Sequence, residues 1–113
     1  MKTIIAGSRD NVTYQDVEKA CELCGWIITE VFSGTARGAD KFGEEWAAKN
    51  NIPITRFPAN WELYGKSAGY RRNLQMAENA DALVAIWNQR SKGTKHMIDI
   101  AQDHGLKIYI FTI

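Results

Sequence analysis

Short apolar runs alternate with segments whose apolar residues recur at helical spacing along this 113-residue chain. Met1 to Ala6 reads as a buried first strand that opens on Gly7-Ser8-Arg9-Asp10. In the next segment Val17, Ala20, Cys21 and Cys24 stand at i, i+3, i+4 and i+7, which predicts a helix from Tyr14 to Cys24. Thr13 with Asp16 three residues on is a variant of the capping box, and Val12 and Val17 sit at hydrophobic-staple positions. Gly25 ends that helix. A second strand, Ile27 to Phe32, runs into Ser33-Gly34-Thr35-Ala36-Arg37-Gly38-Ala39-Asp40. A second helix, Lys41 to Asn50, carries Phe42, Gly43, Trp46, Ala47 and Asn50 on one face, and Pro53 forbids its continuation. Pro53 to Phe57 is a third, short strand with proline at its first position.

Pro58 to Gly69 has no periodicity and reads as a long loop, of a length that suggests binding rather than mere connection. A third helix runs from Gly69 to Asn79. Ala82 to Trp87 is almost wholly apolar, as in a strand covered on both faces. Thr94 then caps a fourth helix reaching His104, Gly105 fits its C′ position, and Lys107 to Phe111 forms the last strand. Strands alternating with helices predict an α/β fold: a three-layer α/β/α sandwich on a five-stranded parallel sheet, in the order 3-2-1-4-5. One domain, residues 1–113, accounts for the whole chain, and exposed edges at strands three and five leave a homodimer open.

Composition narrows the class. An apolar share of 45% and a charged share of 24% are those of a globular protein. No apolar run is long enough to span a bilayer and no signal-peptide pattern opens the chain, so no membrane partner and a cytoplasmic location are expected. The net charge of +1 argues against a polyanion-seeking surface. Cys21 and Cys24 have the CxxC spacing of a redox pair or half a zinc site. They lie on the apolar face of a helix with no second pair to complete a site, and are read as buried cysteines; no metal and no cofactor is expected.

The chemistry gathers in the loops. In open parallel sheets ligands bind off the carboxyl ends of the strands, where the strand order reverses. Five of the six arginines, Arg9, Arg37, Arg71, Arg72 and Arg90, fall in the loops at that edge or at the starts of the helices beside it. Lys92 and Lys95 join them after strand four. Guanidinium forks and helix N-termini both suit phosphate, and Ser33 to Asp40 is a glycine-rich strand-to-helix turn of the kind that lets backbone approach an anion. Trp61, Tyr64 and Tyr70 either offer a stacking face for a base or pack the long loop onto the sheet. His104 lies in the last turn of its helix and His96 in the first turn, near the proposed pocket.

Four segments together resemble the SLOG superfamily, the Rossmann-like group that contains the DprA/Smf and LOG proteins, and its small single-domain YspA (cpYpsA-related) branch in particular. They are Ile5-Ala6-Gly7-Ser8-Arg9; Ser33 to Asp40; Ala68-Gly69-Tyr70-Arg71-Arg72-Asn73-Leu74-Gln75-Met76 running into Ala80-Asp81-Ala82-Leu83; and Ser91-Lys92-Gly93-Thr94. The resemblance implies a nucleotide or nucleotide-derived, ADP-ribose-like ligand, bound by a sensor or sequestering module. Its site would comprise Gly7, Ser8, Arg9, Ser33, Gly34, Thr35, Ala36, Arg37, Gly38, Asp40, Arg71, Arg72, Asn73, Ser91, Lys92, Gly93 and Thr94. Arg72 matches the arginine of LOG enzymes, which release a base from a nucleoside monophosphate, and Met76 matches that motif's methionine. After strand four, however, Met97 stands where the LOG motif has its catalytic glutamate. A methionine moves no proton, so a hydrolase reading, the alternative, must draw on Asp40 or Asp99 beside Arg72. The DprA-like parallel implies single-stranded DNA, and the nearly neutral charge argues against nucleic acid as the partner.

Overall fold

Side chains at successive positions can all be apolar only where a strand is covered on both faces, and β1 (Lys2–Gly7) and β4 (Ala82–Trp87) meet that condition side by side. In the computed structural model, which describes residues 1–113, these strands lie within a five-stranded parallel sheet ordered β3-β2-β1-β4-β5. β2 is Glu30–Ser33, β3 Ile54–Arg56 and β5 Lys107–Thr112. Alternate residues of the strands feed two cores. Ile5, Val31, Val84 and Ile86 pack with Val17, Ala20 and Ala47 from α1 (Tyr14–Leu23) and α2 (Ala39–Lys49). On the other face Ile4, Phe32, Leu83 and Ala85 pack with Met76, Ala77, Met97 and Ala101 from α4 (Ala68–Asn79) and α5 (Lys92–Asp103). Burying a side chain such as Ile4, Ile5, Leu83 or Ile86 completely contributes about 1.5–3 kcal/mol. The three-layer architecture and the strand order are those the pattern predicts. No helix is long and apolar enough to cross a membrane.

Local chemistry explains the boundaries. Thr13 and Asp16 form the reciprocal capping box, with Asp16 N–H to Thr13 Oγ1 at 3.2 Å and Thr13 N–H to Asp16 Oδ2 at 3.0 Å. Cys21 and Cys24 are buried and unpaired, and burial first, then Cys24 and Glu22, pushes the Cys21 thiol up to about 12, far from a reactive thiolate.

Four expectations need correction. β2 begins at Glu30, not Ile27: β1 starts at Lys2 opposite Glu30, so the preceding residues have no strand to pair with, and Ile27 is 80% exposed. α2 begins at Ala39 rather than Lys41. Its buried stripe is Ala39, Asp40, Gly43, Glu44 and Ala47, with Asn50 left exposed at the C-cap. The supposed loop from Pro58 to Gly69 folds into a short α3 (Trp61–Tyr64) and a 3-10 turn (Gly65–Ser67). Asn60 caps it, accepting Leu63 N–H at 3.0 Å. Finally, α5 starts at Lys92 with Ser91 as N-cap, so Thr94 is capped rather than capping, and His104 is the C-cap rather than a last-turn residue.

Candidate functional site

At the carboxyl end of β1 the chain passes so close to β4 that Gly7 has no room for a side chain: a Cβ there would stand 2.1 Å from the Ile86 carbonyl oxygen. Ser8, fully buried, then ties three segments together. Its N–H donates to Ile86 O (2.9 Å), its carbonyl accepts Ala39 N–H (3.1 Å) and its hydroxyl accepts Asn88 N–H (3.1 Å). Ser8 thus serves the frame of the site, and its hydroxyl is already engaged.

The glycine turn after β2 is held from beneath. Ser33 donates its hydroxyl to Glu44 Oε2 (2.6 Å) and accepts Thr35 N–H (3.1 Å). Glu44 in turn accepts Arg56 Nε and a terminal guanidinium nitrogen, each at 3.0 Å. Thr35 is forced to φ 65°, a left-handed conformation that a β-branched residue adopts only under strain. Ala36 N–H donates to Asp40 Oδ2 (3.1 Å), while Arg72 donates to the Gly34 carbonyl from Nη1 and to Asn73 Oδ1 from Nε (3.0 Å). Gly34 is the close approach that permits this, since a Cβ would lie 2.7 Å from Arg72 Nη1 and 2.9 Å from Asp40 Oδ2.

Above these turns opens a cleft of about 230 Å³. Its floor is Ala6, Gly7, Met76 and Met97, and its walls include Arg9, Asp40, Arg72, Asn73, Thr94, Lys66, Trp61 and Tyr70. Three cations face one carboxylate, so the field favours an anion. Burial raises the Asp40 carboxyl from 3.8 to about 6, opposed by the Ala36 N–H, Arg72 and Arg9 and assisted by Glu44. Burial likewise lowers Arg72, with Asp40 opposing and Arg9 assisting.

The Asp40 shift carries a stability prediction. Below pH 3.8 the carboxyl is neutral in folded and unfolded chains alike; as pH rises to about 6 the unfolded chain ionises more readily, and the native state loses on the order of 3 kcal/mol that it does not recover at higher pH. Asp40→Asn keeps an oxygen for the Ala36 N–H and cannot ionise. It is expected to stabilise the protein by about 1–3 kcal/mol near neutrality, the gain vanishing in acid. Urea unfolding across the pH range measures this, and a pH-independent difference between the two proteins would refute it.

The structure brings together only part of the residues the sequence singles out. Gly7, Arg9, Ala36, Asp40, Trp61, Tyr70, Arg72, Asn73, Ser91, Gly93 and Thr94 line the cleft. Gly34, Thr35 and Arg37 line an adjoining hollow instead. Arg37 reaches outward to Asp10 (3.3 Å), with both side chains largely exposed. Arg71 lies over the Tyr64 ring at 4.4 Å, so Tyr64 packs on an arginine and faces away from the cleft. Asp99 is paired with Lys95 at 2.7 Å on the outer side of α5 and does not reach the cleft, because it sits two positions beyond the inward-facing Met97. Ser33, Ser8 and Gly38 build the turns without lining the cleft, and Arg90 and Lys92 are exposed outside it. Pattern reading overlooked Glu44, Lys66 and the Met76–Met97 floor. Asp40 and Glu44 stand at i and i+4 on the same helix stripe as Gly43 and Ala47, a signal that a buried carboxylate pair was present.

Comparison with known proteins agrees with the fold and with the family resemblance. Residues 1–64 match the family described as YAcAr, the YspA, cpYpsA-related SLOG family. The chain is 37% identical over 87 residues to the Gene 61 protein of Mycobacterium phage D29, covering 72% of this chain and 70% of that protein. Among solved structures it is similar to DNA processing protein A (DprA) from Streptococcus pneumoniae, with a TM-score of 0.77 at 17% identity. That superposition covers 96% of this chain but 49% of the other, so the chain spans about half of that structure. At such identity the likeness is one of fold.

Proposed function

The chain belongs to the YspA, cpYpsA-related SLOG family, and on that premise we propose that it binds a nucleotide-derived ligand of the ADP-ribose type at the carboxyl edge of the sheet, as a sensor or sequestering module. One observation carries the reading. The 230 Å³ cleft and a neighbouring hollow of about 410 Å³ share only Arg9, Ala36, Trp61 and Arg72. Both charged side chains at this junction are arginines. A ligand with two uncharged ends and its negative charge in the middle fits that layout: a pyrophosphate between Arg9 and Arg72, one end over the methionine floor, the other beside Gly34, Thr35 and Pro58. The combined space is within the range of small-molecule sites, about 300–1,000 Å³.

Isothermal titration with ADP-ribose, adenosine monophosphate and inorganic pyrophosphate tests the reading. ADP-ribose is expected to bind more tightly than either fragment. Absence of heat with every one of them at millimolar concentration would remove it, and tighter binding of an oligodeoxynucleotide with a steep salt dependence would favour nucleic acid instead.

A second reading, hydrolysis of an N-glycosidic or phosphate bond, draws on one specific feature: Asp40 is buried in the cleft wall beside Arg72 with its carboxyl raised to about 6, the range in which a general acid works near neutrality. Release of base or phosphate from a nucleotide by the purified protein, lost in Asp40→Asn, supports it. Turnover unchanged in that variant removes Asp40 from any such reaction.

A further inference from the structure

Asn73 is buried between α4 and α5 with both ends of its amide engaged. Arg72 Nε–H always donates, so the oxygen of Asn73 must face it, at 3.0 Å. The nitrogen of the amide is thereby turned toward His96 Nδ1 at 3.2 Å and the Gly93 carbonyl at 3.5 Å. An amide nitrogen only donates. His96 Nδ1 must therefore carry no proton, and the ring is the neutral Nε2–H tautomer. The ring is fixed in place by the edge of Tyr70, with centroids 4.4 Å apart.

From this chain of contacts we infer that His96 is a positioning residue for Arg72, acting through Asn73 and only while its imidazole is uncharged. A proton on Nδ1 would set donor against donor. Flipping the Asn73 amide repairs that contact by breaking the one to Arg72, and the guanidinium then loses its lateral anchor. Arg72 retains Gly34 O alone, a contact that leaves it free to swing about one nitrogen.

The surroundings agree. On α5 the charged neighbours are Lys92, Lys95 and Asp99, the last two paired with each other; α4 contributes the uncharged Tyr70 and, beyond Asn73, the cation Arg72. The strand residues of that core face, Ile4, Ala6, Phe32, Leu83, Ala85, Trp87 and Ile108, carry no charge. Burial lowers the His96 pKa from its ordinary value of 6.5, with Asp99 opposing, so the ring is neutral at neutral pH and the anchor fails on acidification. That effect opposes Asp40, whose own protonation on acidification favours an anionic ligand.

Two readouts test the inference. The first needs no ligand: nitrogen NMR of the free protein is expected to show the Nε2–H tautomer at His96 and a slowly exchanging Arg72 Nε–H at neutral pH, the latter lost once acidification protonates His96. His96→Asn places an oxygen where Nδ1 lies and does not titrate, so it should keep the Arg72 signal in acid; His96→Leu should lose it at neutral pH and in acid alike. An Nδ1–H tautomer, or an Arg72 signal indifferent to acid in the native protein, overturns the inference. The second rests on the proposed ligand class. ADP-ribose, whose diphosphate does not titrate in this range, should bind His96→Leu about five- to tenfold more weakly and His96→Asn within about twofold of the native protein. Equal binding by all three overturns it. If ADP-ribose does not bind the native protein at all, the ligand reading falls while the NMR experiment still decides the role of His96.

Discussion

Arg72→Ala is expected to weaken ADP-ribose binding about a hundredfold, close to 3 kcal/mol, the size of effect seen when one partner of a desolvated charge-assisted contact is removed. Three features place Arg72 above the other arginines. It is part-buried where Arg9, Arg37 and Arg71 are exposed, so its charge is less screened. It belongs to both hollows, which among the other arginines only Arg9 also does. Its guanidinium is braced by Gly34 and Asn73, which leaves less freedom to lose on binding. Arg72→Lys retains the charge but not the planar fork, and should recover only a small part of the affinity. A second consequence is independent of any ligand. Arg72 holds Asp40 down against burial, so in Arg72→Ala the Asp40 carboxyl should titrate farther above 6. Carbon NMR of the carboxyl would show this shift, and an unchanged midpoint would mean that Arg72 does not sense Asp40. Unchanged calorimetric affinity would show that the anion sits elsewhere.

Gly7→Ala is expected to be strongly destabilising. The added carbon would stand 2.1 Å from the Ile86 carbonyl oxygen and 2.9 Å from the Ala39 side chain, and neither is the free end of a flexible chain. β1 and β4 would have to separate at the sheet's centre, where Ile5, Val84 and Ile86 are fully buried. A loss of about 3 kcal/mol or more follows, the upper range for overpacking. Gly93→Ala is the control, because a Cβ added there would meet no neighbouring element within 4 Å and the position is helical; it should be neutral or stabilise by up to about 1 kcal/mol. Chemical denaturation of the two variants separates a packing clash from a general intolerance of alanine. Near-native stability of Gly7→Ala would contradict the packing described.

Much of the architecture was legible in the chain because each strand is either apolar throughout or bounded by strong punctuation. Ala82 to Trp87 matched to the residue, and Thr13 with Asp16 fixed the start of α1. Boundaries failed where a partner strand, rather than the local sequence, decides: Ile27 is as apolar as a strand residue can be, yet only the terminal Met1, whose ammonium donates to the Ile27 carbonyl at 2.9 Å, lies beside it and no strand does. α3 was missed because a single turn of helix leaves no period to detect, and its stability comes from Asn60 and the packing of Trp61 over Gly69. In the site, glycine turns and arginines were visible as types, but which arginine turns inward depends on a neighbour far along the chain. Arg37 finds Asp10 and leaves; Arg72 finds Gly34 and stays. Glu44 escaped notice because buried carboxylates are rare, and only its contacts with Ser33 and Arg56 make it tolerable there.

The serine after Gly7 has a consequence for how a ligand would be received. By joining the ends of β1 and β4 to the first turn of α2, Ser8 makes those walls one preorganised body whose ordering entropy is spent during folding. α3, in which no residue is buried, is the opposite case: a single turn capped by Asn60 and packed through Trp61 over Gly69, it brings Trp61 to the cleft wall with far less of its surface covered than the Ser8 frame. An occupant of this cleft would therefore meet a wall braced by buried hydrogen bonds on one side and an exposed single turn of helix on the other.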